Sequence, residues 1–462
     1  MSAALQLLMP GFVGTTLPEW LAARLRGGLG GVCIFGENVV SLSQLRALTD
    51  SIREANPDVL IAIDEEGGDV TRLYFGEGSP YPGNALLGRI DDLPLTTAVA
   101  SSVGQQLRGV GVNLDFAPDV DINSNPDNPV IGVRSFGATP ELVARHSGAW
   151  VRGLQSTGVA ASAKHFPGHG DTATDSHLSL PVVDLPLSSL RDRELVPFVA
   201  AIEAGTQTIM SSHILLPQLD PDNPATFSRR ILQELLRDDL GFDGVIVSDA
   251  LDMVGASGEI GIPAAAVRAV AAGCDLLCIG TKNTDSQIGE IEAALVAGVP
   301  ADRLAEAAAR NVALARSLPP VVEPVETPPS FDLEPSIAAF DIQPSVAVEP
   351  GHTLIAIETA ANIAIGSAPW GPPMSARVSE GESLPAVHGQ LVLVGKNNHR
   401  HRWVRELVSA TRARHPNVIV VDMGWPGDDR AYADIATFGA SKHVSRALVA
   451  WLEGATRVRV SE

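Results

Sequence analysis

The chain has 462 residues, 45% hydrophobic and 19% charged, and its 54 acidic against 33 basic residues leave a formal net charge of −21. That balance suits a well-filled core of one large barrel with an appendage, or of two or three domains. It sets aside nucleic acid and anionic membrane as partners, because neutralising phosphate needs clustered Lys and Arg.

The first ten residues carry no basic leader and too short an apolar segment for export. No run of about 20 apolar residues occurs anywhere, so the cytoplasm is the expected location. Three cysteines, Cys33, Cys274 and Cys278, lie in or beside apolar runs and form neither a disulfide framework nor a zinc spacing. Up to about residue 318, short Val/Ile/Ala-rich runs alternate with helical patterns. They predict strands over 6–9, 31–35, 60–64, 112–116, 159–164, 208–213, 245–249 and 276–279. Helices are expected over 18–26, 43–55, 97–108, 139–157, 186–204 and 228–240. Pro18 and Pro186 suit a first helical position, where the missing N–H costs nothing. Ile231, Leu232, Leu235 and Leu236 form the apolar stripe of the last helix, with Ser228 where an N-cap belongs. Eight strands alternating with helices predict a (β/α)8 TIM-type barrel over 1–318. A doubly wound open sheet is the rival, but it would more often show a glycine-rich phosphate loop after its first strand, where this chain has Pro10-Gly11-Phe12.

Residues 319–350 hold eight prolines, six acidic residues and no Lys or Arg. The stretch reads as an extended Pro-rich acidic linker, with the prolines arguing against any helix. Residues 351–462 resume an α/β rhythm, with strands over 353–357, 391–394, 418–421 and 435–438 and helices over 401–414 and 441–452. They predict a small α/β-sandwich domain.

Polar residues mark one end of the strands. Asp64, Asp115, Lys164-His165, His213 and Asp249 each fall at the C-terminal end of a different predicted strand, and in a barrel those ends converge on the face where active sites form. The densest stretch, 164–177, packs Lys164, His165, His169, Asp171, Asp175 and His177 around Pro167, Gly168 and Gly170. That many ionisable groups cannot sit unpaired in a core strand, so the stretch is a loop at a strand end. Within it Asp175-Ser176-His177 sets a carboxylate two residues from an imidazole, able to hold one ring nitrogen and leave the other to move a proton. A second strand, 245–249, ends in Ser248-Asp249, the rigid placement that a covalent nucleophile requires. A third ends in Asp64-Glu65-Glu66-Gly67-Gly68, and a long loop carries Arg134 as a candidate clamp for a polar ligand. Taken alone, Ser248-Asp249 reads as well as a helix cap, and the Asp64 loop and Arg134 read more readily as a capping or solvated acidic turn and an exposed structural Arg.

Together these motifs resemble glycoside hydrolase family 3, and within it the β-N-acetylglucosaminidase (NagZ-type) branch. The resemblance rests on Lys164-His165-Phe166-Pro167-Gly168-His169-Gly170-Asp171 with Asp175-Ser176-His177, on Ser248-Asp249, on Asp64-Glu65-Glu66-Gly67-Gly68 and on Ile131-Gly132-Val133-Arg134-Ser135-Phe136-Gly137. Phe227-Ser228-Arg229 and the run from Leu236 to Gly244 extend it over about residues 5–316. The last domain more weakly resembles the α/β-sandwich domain of longer members. The resemblance implies a retaining, two-step exo-β-N-acetylglucosaminidase with Asp249 as nucleophile, His177 as acid/base and Asp175 orienting it. It also implies that Asp64, Arg72, Arg134, Lys164 and His165 bind the sugar, that no cofactor or metal is used, and that the substrates are small N-acetylglucosaminides such as cell-wall muropeptides. An imidazole suits the role because its ordinary pKa already lies near neutrality. The family's usual Arg after Glu-Gly-Gly is Asp69 here, which inverts the local charge, and the resemblance gives Asp252 no role. Phosphate in place of water as the acceptor, a β-glucosidase of the same family, and a zinc-dependent barrel hydrolase using His165, His169, His177, His213 and Asp249 are the other readings.

Overall fold

The computed structural model describes residues 2–172, 180–258, 260–323, 327, 330–360, 362, 364–366, 368–387 and 389–460. Eight short parallel strands run in sequence order around the first domain: β1 (Leu8–Met9), β2 (Gly31–Ile34), β3 (Leu60–Ile63), β4 (Leu114–Asp115), β5 (Ala160–Phe166), β6 (Thr208–Ser211), β7 (Val245–Ser248) and β8 (Leu276–Cys278). β1 pairs with β8, and the Cys33 N–H donates to the Pro10 carbonyl at 3.0 Å, so β1 and β2 nearly close the ring. All eight predicted strands are present.

Their unbroken apolar character follows from burial on both faces. Leu60, Ala62, Leu114, Val245, Val247 and Leu276 point into the barrel with Met9, Cys33 and Met210. The alternating residues Ile61, Ile63, Ala161, Ile209, Ile246 and Leu277 point outward against the helices.

Three helix expectations need correction. Pro18 and Pro186 occupy the N-cap position of Glu19–Arg26 and Leu187–Asp192, one residue before the place predicted. The helix expected over 186–204 is two, Leu187–Asp192 and Val196–Glu203. Pro197 is the reason, since its ring would meet the carbonyl of Arg193 four residues back in any continuous helix. Ser228 stands one residue before the cap position of the helical segment Arg230–Asp239, although its hydroxyl still accepts the Ile231 N–H at 3.3 Å.

A second sheet carries β9 (Asp341–Ile342), β10 (Thr353–Ile357), β11 (Ala376–Val378), β12 (Leu391–Gly395), β13 (Ile419–Asp422) and β14 (Ile435–Ala436) in the order β11-β10-β12-β13-β14-β9. All pairs are parallel except β14 with β9. The helix Arg402–Arg414 covers one face through Val404 and Val408, and Lys442–Val460 covers the other through Val444, Ala447, Leu448 and Leu452. The stretch expected to be a helix-free linker holds the helix Glu334–Ala338 as well as β9. Pro335 falls in that helix's first turn, where a missing N–H leaves no bond unmade. Among the described residues no helix is long and apolar enough to cross a membrane.

Candidate active site

At the C-terminal ends of the barrel strands lies a cavity of about 300 Å³, and Asp64, Arg72, Arg134, Lys164, His165 and Asp249 all line it. Six residues nominated from four stretches of the sequence thus meet. Asp175 and His177 lie outside the described residues.

The floor is a buried ion-pair network. Lys164, 2% exposed, stands at the strand end of β5 and donates to Asp64 Oδ1 at 2.6 Å and to Glu66 Oε1 at 2.8 Å. Arg134, 5% exposed, forks onto the same Glu66, Nε to Oε2 at 3.0 Å and Nη2 to Oε1 at 2.8 Å. Burial by itself would raise the Glu66 carboxyl, but Arg134 and Lys164 outweigh it and hold it well below the usual range. Burial likewise pulls Lys164 down, and Asp64 and Glu66 more than restore it, so its ammonium stays charged. Breaking one partner of such a network leaves an uncompensated buried charge, at a cost of about 3–5 kcal/mol. Arg134 is therefore not an exposed structural Arg: it is buried, braced by Glu66, and lines the cavity.

His165 is fixed by Asp121, whose Oδ2 meets Nδ1 at 2.7 Å, while Oδ1 accepts the His169 N–H at 2.6 Å. Burial pushes Asp121 up, and His165 and His169 more than reverse it. His169 lines the cavity too, and burial lowers its imidazole to about 4, so it is neutral at pH 7. Asp249 follows β7, half-buried, with the Ala250 N–H donating to its Oδ1 at 2.7 Å. Of the other strand-end groups, Asp115 is buried away from the cavity and accepts the Glu65 N–H, and His213 is bonded to Thr226 and the Ala250 carbonyl.

Glu66, Asp119 and Asp121 are the functional neighbours that sequence reasoning missed. Glu66 stands inside a motif that was read for Asp64. Asp119 and Asp121 flank Val120 just past β4, and that alternation of carboxylates beyond a buried strand was the available signal. Among the described residues, Asp119, Asp121 and His165 bring ligand-type atoms within 4.8 Å of one another. Arg134 Nη2 already lies 3.4 Å from Asp119 Oδ2, and Asp121 is spent on His165 and His169. Asp119 thus faces a guanidinium and both Asp121 oxygens already have protein partners, which does not match an open zinc site.

The second domain reaches the rim. Arg72 donates from Nη2 to the Ala364 carbonyl at 2.7 Å and from Nη1 to that of Ile365 at 3.2 Å, and Ala364 lines the cavity. Asp69 also faces this domain, accepting the Ala440 N–H at 2.8 Å near Lys396. The inverted charge at position 69 is answered there, away from the ion-paired floor.

The profile for the glycosyl hydrolase family 3 N terminal domain matches residues 4–314. The chain is similar to beta-hexosaminidase A of Pseudoalteromonas piscicida, 39% identical over 285 residues that cover 57% of this chain and 48% of that protein. It is 40% identical over 267 residues to a beta-hexosaminidase of Pseudomonas aeruginosa, covering 56% of this chain and 78% of that one. A family 3 beta-N-acetylglucosaminidase from Paenibacillus superimposes with a TM-score of 0.87 at 29% identity, over 98% of this chain and 96% of that chain.

Proposed function

The chain belongs to glycosyl hydrolase family 3, and from that premise we propose that it is a retaining exo-β-N-acetylglucosaminidase acting on small β-glycosides. The observation that carries this reading is the meeting of Asp249 with the Asp64–Lys164–Glu66–Arg134 floor in one cavity at the barrel mouth. A sugar seated on that floor would present hydroxyls to Asp64 and Lys164, and its anomeric carbon to Asp249.

In the first step an Asp249 oxygen bonds to the anomeric carbon as the glycosidic bond breaks, and the departing oxygen takes a proton from His177. In the second, His177 removes a proton from water, the water oxygen bonds to the same carbon, and Asp249 leaves as carboxylate. Asp175 would hold the imidazole for both transfers. The roles of His177 and Asp175 rest on the motif Asp175-Ser176-His177. Muropeptides as the natural substrate, with a place in cell-wall recycling in the cytoplasm, rest on resemblance.

A nitrophenyl N-acetyl-β-glucosaminide is expected to be cleaved with retention of anomeric configuration, read by proton NMR. Asp249→Asn is expected to lower kcat/KM by at least about 10³-fold. Cleavage of the glucoside but not the N-acetylglucosaminide, or inversion, would refute the proposal.

A further inference from the structure

Asp171, Arg193 and Glu194 form a linked set of charges that the proposed chemistry leaves unused. The helices Leu187–Asp192 and Val196–Glu203 are parted, with Pro197 barring a continuous helix, and Arg193 takes φ −129° and ψ −77° at the junction. Arg193 and Glu194 thereby leave the helical path and meet the loop that follows β5. Arg193 Nη2 donates to Asp171 Oδ2 at 2.7 Å, and its Nε donates to Glu194 Oε1 at 2.6 Å. Glu194 is 1% exposed and lies against Gly168, where an added Cβ would stand 2.8 Å from Glu194 Cβ and 2.9 Å from its Oε2. Gly168 has φ +129°, so a side chain there would be strained as well as crowded.

Burial by itself would lower the Arg193 guanidinium, and Glu194 and Asp171 more than restore it. Burial pushes the Glu194 carboxyl up to about 7, with Arg193 opposing the rise. Among the described residues Glu194 Oε2 has no hydrogen-bond partner. A buried oxygen without a donor costs stability, so stability alone does not account for Glu194. What the three charges hold is the loop. Asp121 Oδ1 accepts the His169 N–H at 2.6 Å, while Glu194 and Arg193 secure Gly168 and Asp171, the residues before and after that segment. His169 lines the cavity, and the same stretch of chain runs on in sequence to Asp175-Ser176-His177.

We infer that Arg193, seated on Glu194 and bonded to Asp171, positions the loop that delivers the acid for the first step. The inference rests on the proposed glycosidase reading and adds positioning residues to it. In that step an Asp249 oxygen bonds to the anomeric carbon, the bond from that carbon to the departing oxygen breaks, and the departing oxygen keeps the electron pair. Nitrophenolate is stable with that pair, whereas the more basic phenolate gains from a proton given by His177 as the bond breaks. A misplaced acid therefore slows a phenyl glycoside more than a nitrophenyl one.

The test measures kcat/KM, which reports this first step, for the phenyl and the nitrophenyl N-acetyl-β-glucosaminide. It compares the unaltered enzyme, Asp171→Ala, Arg193→Ala and the double variant. The Asp171 and Arg193 side chains are 32% and 34% exposed, so their removal opens no hole in the core. The phenyl-to-nitrophenyl ratio is expected to fall about tenfold in each single variant, part of what a placed general acid supplies. The double variant is expected to fall no further than Arg193→Ala, because the two side chains act through one contact. Partial unfolding scales both substrates alike and leaves the ratio unmoved, so the ratio separates positioning from stability. Ratios within about twofold of the unaltered enzyme's in both single variants, or a double variant whose fall is the product of theirs, would overturn the inference and leave the glycosidase reading standing. Failure of the unaltered enzyme to cleave the nitrophenyl glycoside would overturn that reading, and this inference with it.

Discussion

Glu65 and Glu66 are neighbours in the chain, both buried, and they meet opposite fates. Glu66 faces Arg134 and Lys164 and stays ionised. Glu65 Oε2 accepts the Thr71 hydroxyl and the N–H groups of Arg72 and Leu73, each at 2.9 Å, so it staples the turn that presents Arg72. With neutral donors as its hydrogen-bond partners, burial pushes its carboxyl up to about 7 from 4.5. Between those two values the unfolded chain has released its proton and the folded protein has not, so stability falls as pH rises through that window. Glu65→Gln keeps an oxygen for the staple and removes the titration. It is expected to lessen the loss of unfolding free energy between pH 5 and pH 7 by about 2 kcal/mol, measured by urea unfolding at both. An unaltered loss would show that Glu65 ionises normally in the fold. The pair Glu-Glu was plain in the sequence, but which side chain turned toward the cations was not.

At the scale of elements, the polar stretch expected to be a loop from Lys164 onward divides. Lys164, His165 and Phe166 are buried at the end of β5, where the Lys164 and His165 side chains are paired with carboxylates, and the described residues 167–172 form the loop beyond it. What holds its first part is the loop after β4. Asn128 Nδ2 donates to the His169 and Gly170 carbonyls at 2.9 Å, and Asp121 caps His165 and His169. Gly170 lies so close that a Cβ would stand 1.6 Å from the Ile122 carbonyl oxygen. Gly170→Ala is therefore expected to force the two loops apart, costing about 1–3 kcal/mol of stability and lowering kcat/KM. Wild-type stability and kinetics in that variant would mean that the contact yields freely. The break in the helix pattern over 186–204 is also written in the sequence, at Pro197, but the apolar periodicity continues through it and masks the break.

For the whole molecule, the second domain is latched onto the two loops that supply the floor. Arg72 reaches Ala364 and Ile365, Asn362 Nδ2 donates to the Pro129 carbonyl at 2.7 Å, and Arg400 donates to that of Pro126 at 2.7 Å. Asn362→Ala removes one latch without touching the floor. It is expected to raise KM about two- to tenfold, the worth of one hydrogen bond, with kcat moved less; an unchanged KM would make the domain a passive neighbour. The sequence by itself determined the barrel, its eight strands and six cavity residues, because apolar periodicity and strand-end charge are local signals that a barrel turns into one face. Only the tertiary structure decided that Arg134 is buried and braced by Glu66, that Glu66 and Asp121 hold the cations and imidazoles in place, and that Arg72 and Asp69 answer to a domain some 300 residues away in the chain. Those pairings join segments whose separation in sequence carries no periodic signal, and their energies exist only once burial has removed the water that would otherwise satisfy each group alone.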